Sequence, residues 1–215
     1  MEDDANNNNS NNNSSIEDNG EDLKRSRLYT KTGDKGYSSL FNGERKPKDD
    51  DFFNALGNID ELNASLGVAL EYCMIDNNGL QDYIEKIQSL MLDVGACCAT
   101  PLDTSKDSHI QKTKFSDQHV IVLERWIDLL DSKLPPLKNF IVPCGVGLAS
   151  SHLHLSRAIC RRAERSICSL SRHQVIPENV SVFMNRLSDF LFAACRYAAM
   201  KSGKNETLWK KREFN

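Results

Sequence analysis

The stretch Leu153-His154-Leu155-Ser156-Arg157-Ala158-Ile159-Cys160-Arg161-Arg162-Ala163-Glu164-Arg165-Ser166-Ile167 puts two opposed signals in one segment. Leu153, Leu155, Ala158, Ile159, Cys160, Ala163 and Ile167 are apolar or small and recur at helical spacing, which reads as a buried helix. Inside that frame stand four arginines and a glutamate: Arg157, Arg161, Arg162, Arg165 and Glu164. At about 100° per residue, Arg157, Arg161 and Glu164 fall within roughly 60° of one another. A solvated helix face alternates its signs and carries more lysine. A tight arginine stripe suits a multiply charged anion, because guanidinium forks bind phosphate oxygens in pairs. The plainer alternative is a surface charge run or a salt-bridge network between subunits.

The helical period extends both ways from this segment. The helix that contains it runs from about 148 to 170. Another starts near Pro177, a favourable first-turn residue, and passes through Phe183, Leu187, Phe190, Leu191, Ala194 and Tyr197 to about Lys201, where Ser202-Gly203 ends it. Upstream, residues 51–73 carry Leu56, Ile59, Leu62, Leu66, Ala69, Leu70 and Cys73 on one side. Residues 80–98 repeat the pattern with Tyr83, Ile84, Ile87, Leu90, Met91 and Val94. Thr100-Pro101 opens a long polar loop to Lys114. A helix follows with Ser116 as N-cap, ending near Ser132 before Pro135-Pro136. Phe140 to Gly145 is a short apolar connector, too short for a sheet strand. Five helices and almost no strand predict an all-α bundle.

Composition places one domain at residues 27–215 behind a tail at 1–26. The first 22 residues hold eight Asn and seven acids, with no base before Lys24, so this tail is expected to be disordered. Without those seven acids, residues 23–215 carry 27 bases against 23 acids. That mildly basic balance suits a small polyanion better than a long nucleic acid. No run of 18 apolar residues appears, so no membrane span is expected, and the acidic start resembles neither a secretory signal nor a mitochondrial presequence. The seven cysteines are odd in number, lack C-x-x-C and sit mostly at apolar helix positions, as free thiols in a reducing compartment do.

A second anion-suited segment is Tyr29-Thr30-Lys31-Thr32-Gly33-Asp34-Lys35-Gly36-Tyr37-Ser38-Ser39. Its glycines let backbone N–H groups converge on an anion, Lys31 and Lys35 add charge, and Thr30, Thr32, Ser38 and Ser39 add hydroxyls. It is not a Walker loop, for G-x-x-x-x-G-K-[ST] is absent; an ordinary polar turn is the alternative. Lys48 stands close enough in sequence to add charge. Asp60, Glu61 and Asn63 interrupt an apolar run, and Asp60 needs a partner if buried. Arg186 and Asp189 are spaced to pair within one helix, which leaves Asn185 as the more informative polar group. His152 and His154 point apart on a helix, so neither a shared metal nor any other metal site is expected. No Ser-His-Asp or Cys-His set is suggested. An anion cradle, an arginine stripe and no nucleophile fit an enzyme that positions a nucleotide against a nucleophile brought by the other substrate.

Taken together, Tyr29 to Gly36, Phe41-Asn42-Gly43-Glu44-Arg45, Lys48-Asp49-Asp50, Asp60 to Asn63, Arg157 to Arg165 and Asn185 to Asp189 resemble, in order, the motifs of the PduO-type ATP:cob(I)alamin adenosyltransferases. The resemblance covers residues 27–210. It implies a five-helix bundle assembled as a homotrimer with sites between subunits. It implies transfer of the 5′-deoxyadenosyl group of ATP, accompanied by Mg²⁺, to cob(I)alamin, with triphosphate leaving. Thr30, Lys31, Thr32, Gly33, Ser38, Ser39 and Lys48 would hold ATP from one subunit. Arg161, Arg162, Ala163, Glu164, Arg165 and Asn185 would complete the site from its neighbour. Asp60 and Arg157 match an intersubunit ion pair beside the corrin. Phe140 matches the aromatic that crowds the lower face of cobalt and excludes its nitrogen ligand. Cys144-Gly145-Val146-Gly147 stands where the family often has Gly-Gly after the proline, which alters the loop expected beside the corrin.

A different class of function is a cobalamin escort delivering the cofactor to a mutase. A triphosphate site is needless for that role alone, so the cradle and Arg161 together favour the enzyme. A reductase and a B12-dependent mutase are the partners implied. A nucleic-acid interface at 157–165 is disfavoured because the stripe is short and has no basic continuation. The resemblance points to the mitochondrial matrix, the acidic tail to the cytosol.

Overall fold

The computed structural model describes residues 26–211. The disorder expected of the tail falls on residues that, Ser26 apart, lie outside the described ones. The elements are β1 (Tyr37–Ser39), β2 (Arg45–Pro47), α1 (Asp51–Ile75), α2 (Gln81–Cys98), α3 (Asp107–Lys112), α4 (Gln118–Asp131), β3 (Ile141–Val142), α5 (Leu148–Arg172), α6 (Glu178–Lys201) and β4 (Thr207–Leu208).

Helix α1 begins because the Asp50 carboxylate accepts the Phe52 N–H at 3.0 Å, satisfying a donor that the first turn leaves free. Its buried residues Phe52, Ala55, Ile59, Leu62, Leu66, Ala69 and Cys73 step by three or four, so one stripe faces inward. After Ile75 the chain turns through Asn77 and Gly79, both at positive φ. Helix α5 packs against α1 and α6, α6 also against α4, and α1 against α2. α6 lies deepest: Val180, Phe183, Met184, Leu187, Phe190, Leu191 and Ala194 are all fully buried. Each large apolar side chain in such a core contributes roughly 1.5–3 kcal/mol. Tyr83 and Trp126 meet edge to face at 5.0 Å beside Phe190 and bind α2 and α4 to it.

The five long helices stand where the periodicity puts them, and three details differ. The predicted loop 100–114 contains a six-residue helix, α3. α4 starts at Gln118 with Asp117 at the N-cap position, although the Ser116 hydroxyl still accepts the Gln118 N–H at 3.3 Å. The connector at Phe140 does pair: Ile141 with Leu208 and Val142 with Thr207, antiparallel. Each strand is two residues long and the partner lies far along the chain, so neither has a period to read.

Candidate active site

The segment expected to cradle an anion is built on the β1–β2 hairpin, where Tyr37, Ser38 and Ser39 pair with Pro47, Lys46 and Arg45. The turn before it is tied down at several points. Thr30 and Thr32 share a hydroxyl hydrogen bond of 2.8 Å, and the Thr32 carbonyl accepts from the Arg45 guanidinium at 2.9 Å. Gly36, at φ +79°, donates to the Gly33 carbonyl and accepts from the Lys48 N–H at 2.8 Å. Lys31 takes a left-handed backbone at φ 60°, an uncommon conformation for a residue with a side chain. Lys48 lies directly over Gly33: a Cβ there would sit 3.1 Å from the Lys48 Nζ. Thr30, Lys31, Thr32, Ser39 and Lys48 are exposed and Ser38 half-buried, so the hydroxyls and ammonium groups remain open to a ligand.

The hairpin is fastened to the bundle by residues that sequence reasoning assigned no role. The Phe41 N–H donates to the Ala99 carbonyl, and the Phe41 ring meets His109 of α3 at 5.6 Å. Asn42 donates to the Thr104 hydroxyl, which donates in turn to Glu44. Lys46 bridges Glu44 and Asp50. Its hydrogen bond holds the Glu44 carboxyl below the usual carboxylate range, and Glu44 raises the Lys46 ammonium in return.

On α5 the charged side chains divide among three directions. Arg162 turns to α1, where its guanidinium pairs with Glu61 and its Nε donates to Asn58 at 3.2 Å. Glu164 turns to α6 and accepts from the Asn185 amide at 2.8 Å. Arg161 and Arg165 lie between, exposed; among the described residues neither has a carboxylate partner, and Arg165 donates only to the Arg161 carbonyl. The Ala163 side chain is fully buried in the core, and its charged neighbours on either side face outward. Arg186 departs from expectation. It donates to Glu124 of α4 at 2.8 Å and to the Asn185 oxygen at 2.9 Å, leaving Asp189 exposed. The α4–α6 contact places Glu124 in a better-enclosed position than Asp189. A cleft of about 880 Å³ opens beside Glu164 and Asn185, lined also by Cys168, Arg172, Ser181 and Arg186. That volume is in the range of small-molecule sites.

Within one chain, no hydrogen bond or ion pair among the described residues joins the cradle to Arg157, Arg161 or Arg165. α1 and α5 run antiparallel, with Ser169 against Asp51 and Arg162 against Asn58. Arg161 therefore lies about 12 Å along the axis from the level where the hairpin joins.

The residues expected at a corrin lie toward the other end of α5. Phe140 is 81% exposed, and its carbonyl accepts the Trp209 N–H at 2.8 Å. Asp60 is exposed and, among the described residues, unpaired. Arg157 lies over the Phe192 ring at 5.1 Å, its Nε buried without a hydrogen-bond partner. His152 stacks on Tyr72, and His154 reaches Cys195, so the two imidazoles serve opposite neighbours. A second cleft, about 1070 Å³, is lined by Val142, Cys144, Thr207, Trp209, Lys210 and Lys211. Burial pushes the Cys195 thiol up to about 12 and Cys97 to about 11, and raises Cys98 and Cys160 as well. These thiols stay protonated and are not nucleophiles at neutral pH.

Comparison with known proteins gives the family and the fold. The cobalamin adenosyltransferase family profile matches residues 28–198. The chain is 48% identical over 190 residues to the corrinoid adenosyltransferase MMAB of Mus musculus, covering 88% of this chain and 80% of that protein. It is 46% identical over 187 residues to the Homo sapiens MMAB protein, covering 87% and 74%. Among solved structures it is similar to a variant PduO-type ATP:corrinoid adenosyltransferase from Lactobacillus reuteri complexed with cobalamin and ATP. There the identity is 36% and the TM-score 0.79, over 86% of this chain and 100% of that one.

Proposed function

This chain belongs to the cobalamin adenosyltransferase family, and from that membership we propose that it transfers the 5′-deoxyadenosyl group of ATP to cob(I)alamin, giving adenosylcobalamin and triphosphate. The single observation that carries the reading is the pair Arg161 and Arg165, two exposed guanidiniums without a carboxylate partner among the described residues, beside an Arg162 that has one. Cations held open on a rigid helix, next to a cleft, are suited to an anion that arrives from outside.

In this reading the cradle at Thr30–Gly33, with Ser38, Ser39 and Lys48, holds ATP from one subunit. Arg161, Arg162, Glu164, Arg165 and Asn185 of a neighbour close over its phosphates. The cobalt(I) electron pair attacks C5′ of the ribose, the Co–C bond forms, and the C5′–O bond breaks with its electrons going to triphosphate. Charge on that leaving group grows as the bond breaks, so arginines fixed in place beforehand stabilise the transition state more than the ground state. Arg162 is oriented for this by Glu61 and Asn58, and Glu164 is oriented by Asn185. The nucleophile belongs to the substrate, consistent with thiols that burial keeps protonated.

Mg²⁺ fits as a companion of ATP. It binds phosphate oxygens and water with one or two carboxylates, and Glu164 offers one among the arginines. Bound there, it would neutralise phosphate charge; the arginines do the rest of that work.

The assembly proposed is a homotrimer. Asp60, exposed and unpaired among the described residues, would meet Arg157 of a neighbour beside the corrin. Leu148 and Leu155, 60% and 52% exposed on α5, would be covered in the same contact. Phe140 would press on the lower face of cobalt, displacing its nitrogen ligand and easing reduction to cobalt(I). A reductase supplying that electron and a B12-dependent mutase receiving the product are the partners of this reading. The mitochondrial matrix is the compartment of this reading, by likeness to mammalian relatives.

The test is to mix the protein with ATP, Mg²⁺ and chemically pre-reduced cobalamin. Adenosylcobalamin and triphosphate should appear in equal amounts. No adenosylcobalamin, or cleavage of ATP to other phosphates without it, would overturn the reading.

A further inference from the structure

Arg196 is 5% exposed in the run Ala193-Ala194-Cys195-Arg196-Tyr197-Ala198-Ala199, where every alanine and the cysteine is buried. A charge so enclosed costs several kcal/mol unless it is paired and its donors are satisfied. Arg196 is paired with Glu206 and, through its Nη1 at 4.0 Å, with Asp131 at the end of α4. Its Nε donates to Glu206 Oε1 at 2.6 Å, and its Nη2 donates both to Glu206 Oε2 at 3.3 Å and to the Pro135 carbonyl at 2.8 Å. One guanidinium thus joins three places in the chain: the deepest helix, the start of the connector after α4, and the segment after α6.

Those two segments meet again at Phe140. Glu206 immediately precedes β4, whose Thr207 and Leu208 pair with Val142 and Ile141. The Trp209 N–H donates to the Phe140 carbonyl at 2.8 Å, and the Thr207 hydroxyl donates to the Cys144 carbonyl at 3.1 Å. Phe140 is 81% exposed, so its ring is not positioned by packing within the chain. Its backbone is held instead, from Pro135 on one side and from β4 on the other, and both ties lead back to Arg196.

We propose that Arg196 and Glu206 form a buried clamp that positions Phe140, through the β3–β4 pair, against the corrin. The inference rests on the reading of Phe140 as the ring beneath cobalt. The clamp also lies beside the corrin-side arginine: the charges of Glu206 and Arg157 both act on His154 and on Cys195. Arg196 and Glu206 are positioning residues. They do not touch substrate, and they act through Phe140.

The experiment uses the full chain with Glu206→Ala and, as the variant that keeps shape but removes charge, Glu206→Gln. Hydrogen exchange without corrinoid is read first. In Glu206→Ala the amides of residues 140–142 and 207–209 should exchange about tenfold faster or more, while α1 to α6 keep their protection. Glu206→Gln should fall between it and the parent. Starting from cob(II)alamin with a mild chemical reductant, Glu206→Ala should raise the corrinoid KM about tenfold and leave the ATP dissociation constant within about twofold. In a Phe140→Ala background the same change should add less than about twofold, because the ring it positions is gone. Unchanged exchange at β3 and β4, equal losses for ATP and corrinoid, or full additivity with Phe140→Ala would each overturn the clamp. An inactive parent protein would overturn the proposed function, whereas the exchange measurement decides the clamp without any turnover.

Discussion

At about 100° per residue, α5 turns Arg162 toward Glu61 and Asn58 and leaves its neighbour Arg161 facing outward with no carboxylate partner among the described residues. Two adjacent arginines therefore have different consequences when removed. Arg161→Ala should lower kcat/KM by a factor corresponding to about 2–4 kcal/mol, the loss of a preorganised charged donor in a water-excluded site. Arg125→Ala, an exposed charge on α4, should stay within about twofold of the parent. Arg172 is the poorer control, since it lines the cleft beside Glu164 and Asn185. Steady-state kinetics on both variants check this, and equal small losses would make the stripe a structural network. Gly33 supplies a second test. A methyl group there meets Lys48 Nζ at 3.1 Å, so Gly33→Ala should push the ammonium away and raise the ATP KM by about 1 kcal/mol, or roughly fivefold, with little change in melting temperature. The stripe and the cradle were legible because arginines on an apolar helix, and glycines among hydroxyls and lysines, violate their local patterns. Arg196 violates its pattern as openly, a charge among alanines. What could not be read was its partner, since nothing in the spacing to Glu206 or Pro135 sets them apart from other polar residues.

Among the elements, the long helices follow from apolar residues three and four apart, whereas α3, β3 and β4 are too short to carry any period. Their places depend on tertiary partners: α3 on Phe41, and β3 and β4 on each other. Ala163 shows the same limit from the opposite side. Motif likeness places it among ligand contacts, while the helix turns its side chain into the core. The α5–α6 contact at His154 yields a pH prediction. Burial lowers the His154 imidazole first, and the neighbouring Arg157 cation adds to it, partly opposed by Glu206. The fold therefore prefers the neutral ring. That preference is fully present above the unfolded histidine value of about 6.5 and is lost as pH falls below it toward the folded value. Melting temperature should drop between pH 7.5 and 5.5 more steeply for the parent than for His154→Asn, which has nothing to titrate there. Identical slopes would mean that His154 is protonated without cost in the folded state.

For the whole molecule, the fold class was open to periodicity and the family to its motifs, whereas a site divided between two subunits was implied by the resemblance alone. Periodicity describes one chain, and in one chain the cradle and the arginines stand about two helical turns apart without touching. Asp60 and Arg157 present the same situation among the described residues, one exposed and unpaired, the other with a buried Nε that no group there satisfies. If they meet across subunits, Asp60→Arg and Arg157→Asp should each weaken the trimer and abolish corrinoid turnover, and the double exchange should restore part of both. Sedimentation together with kinetics would show it; loss without any recovery in the double variant would argue against the pairing. Removal of residues 1–24, whose composition offers nothing to a core, should leave melting temperature and turnover nearly unchanged. The central claim, a site shared by two subunits, is tested most directly by mixing two inactive variants, Lys48→Ala with a defective cradle and Arg161→Ala with a defective stripe. Reassembled at equal amounts into mixed trimers, they should recover about a quarter of the parent's adenosylcobalamin formation, because about one interface in four then combines an intact cradle with an intact stripe. Activity that stays at the level of the separate variants, in trimers shown to be mixed, would contradict the account and place both halves of the site on one chain.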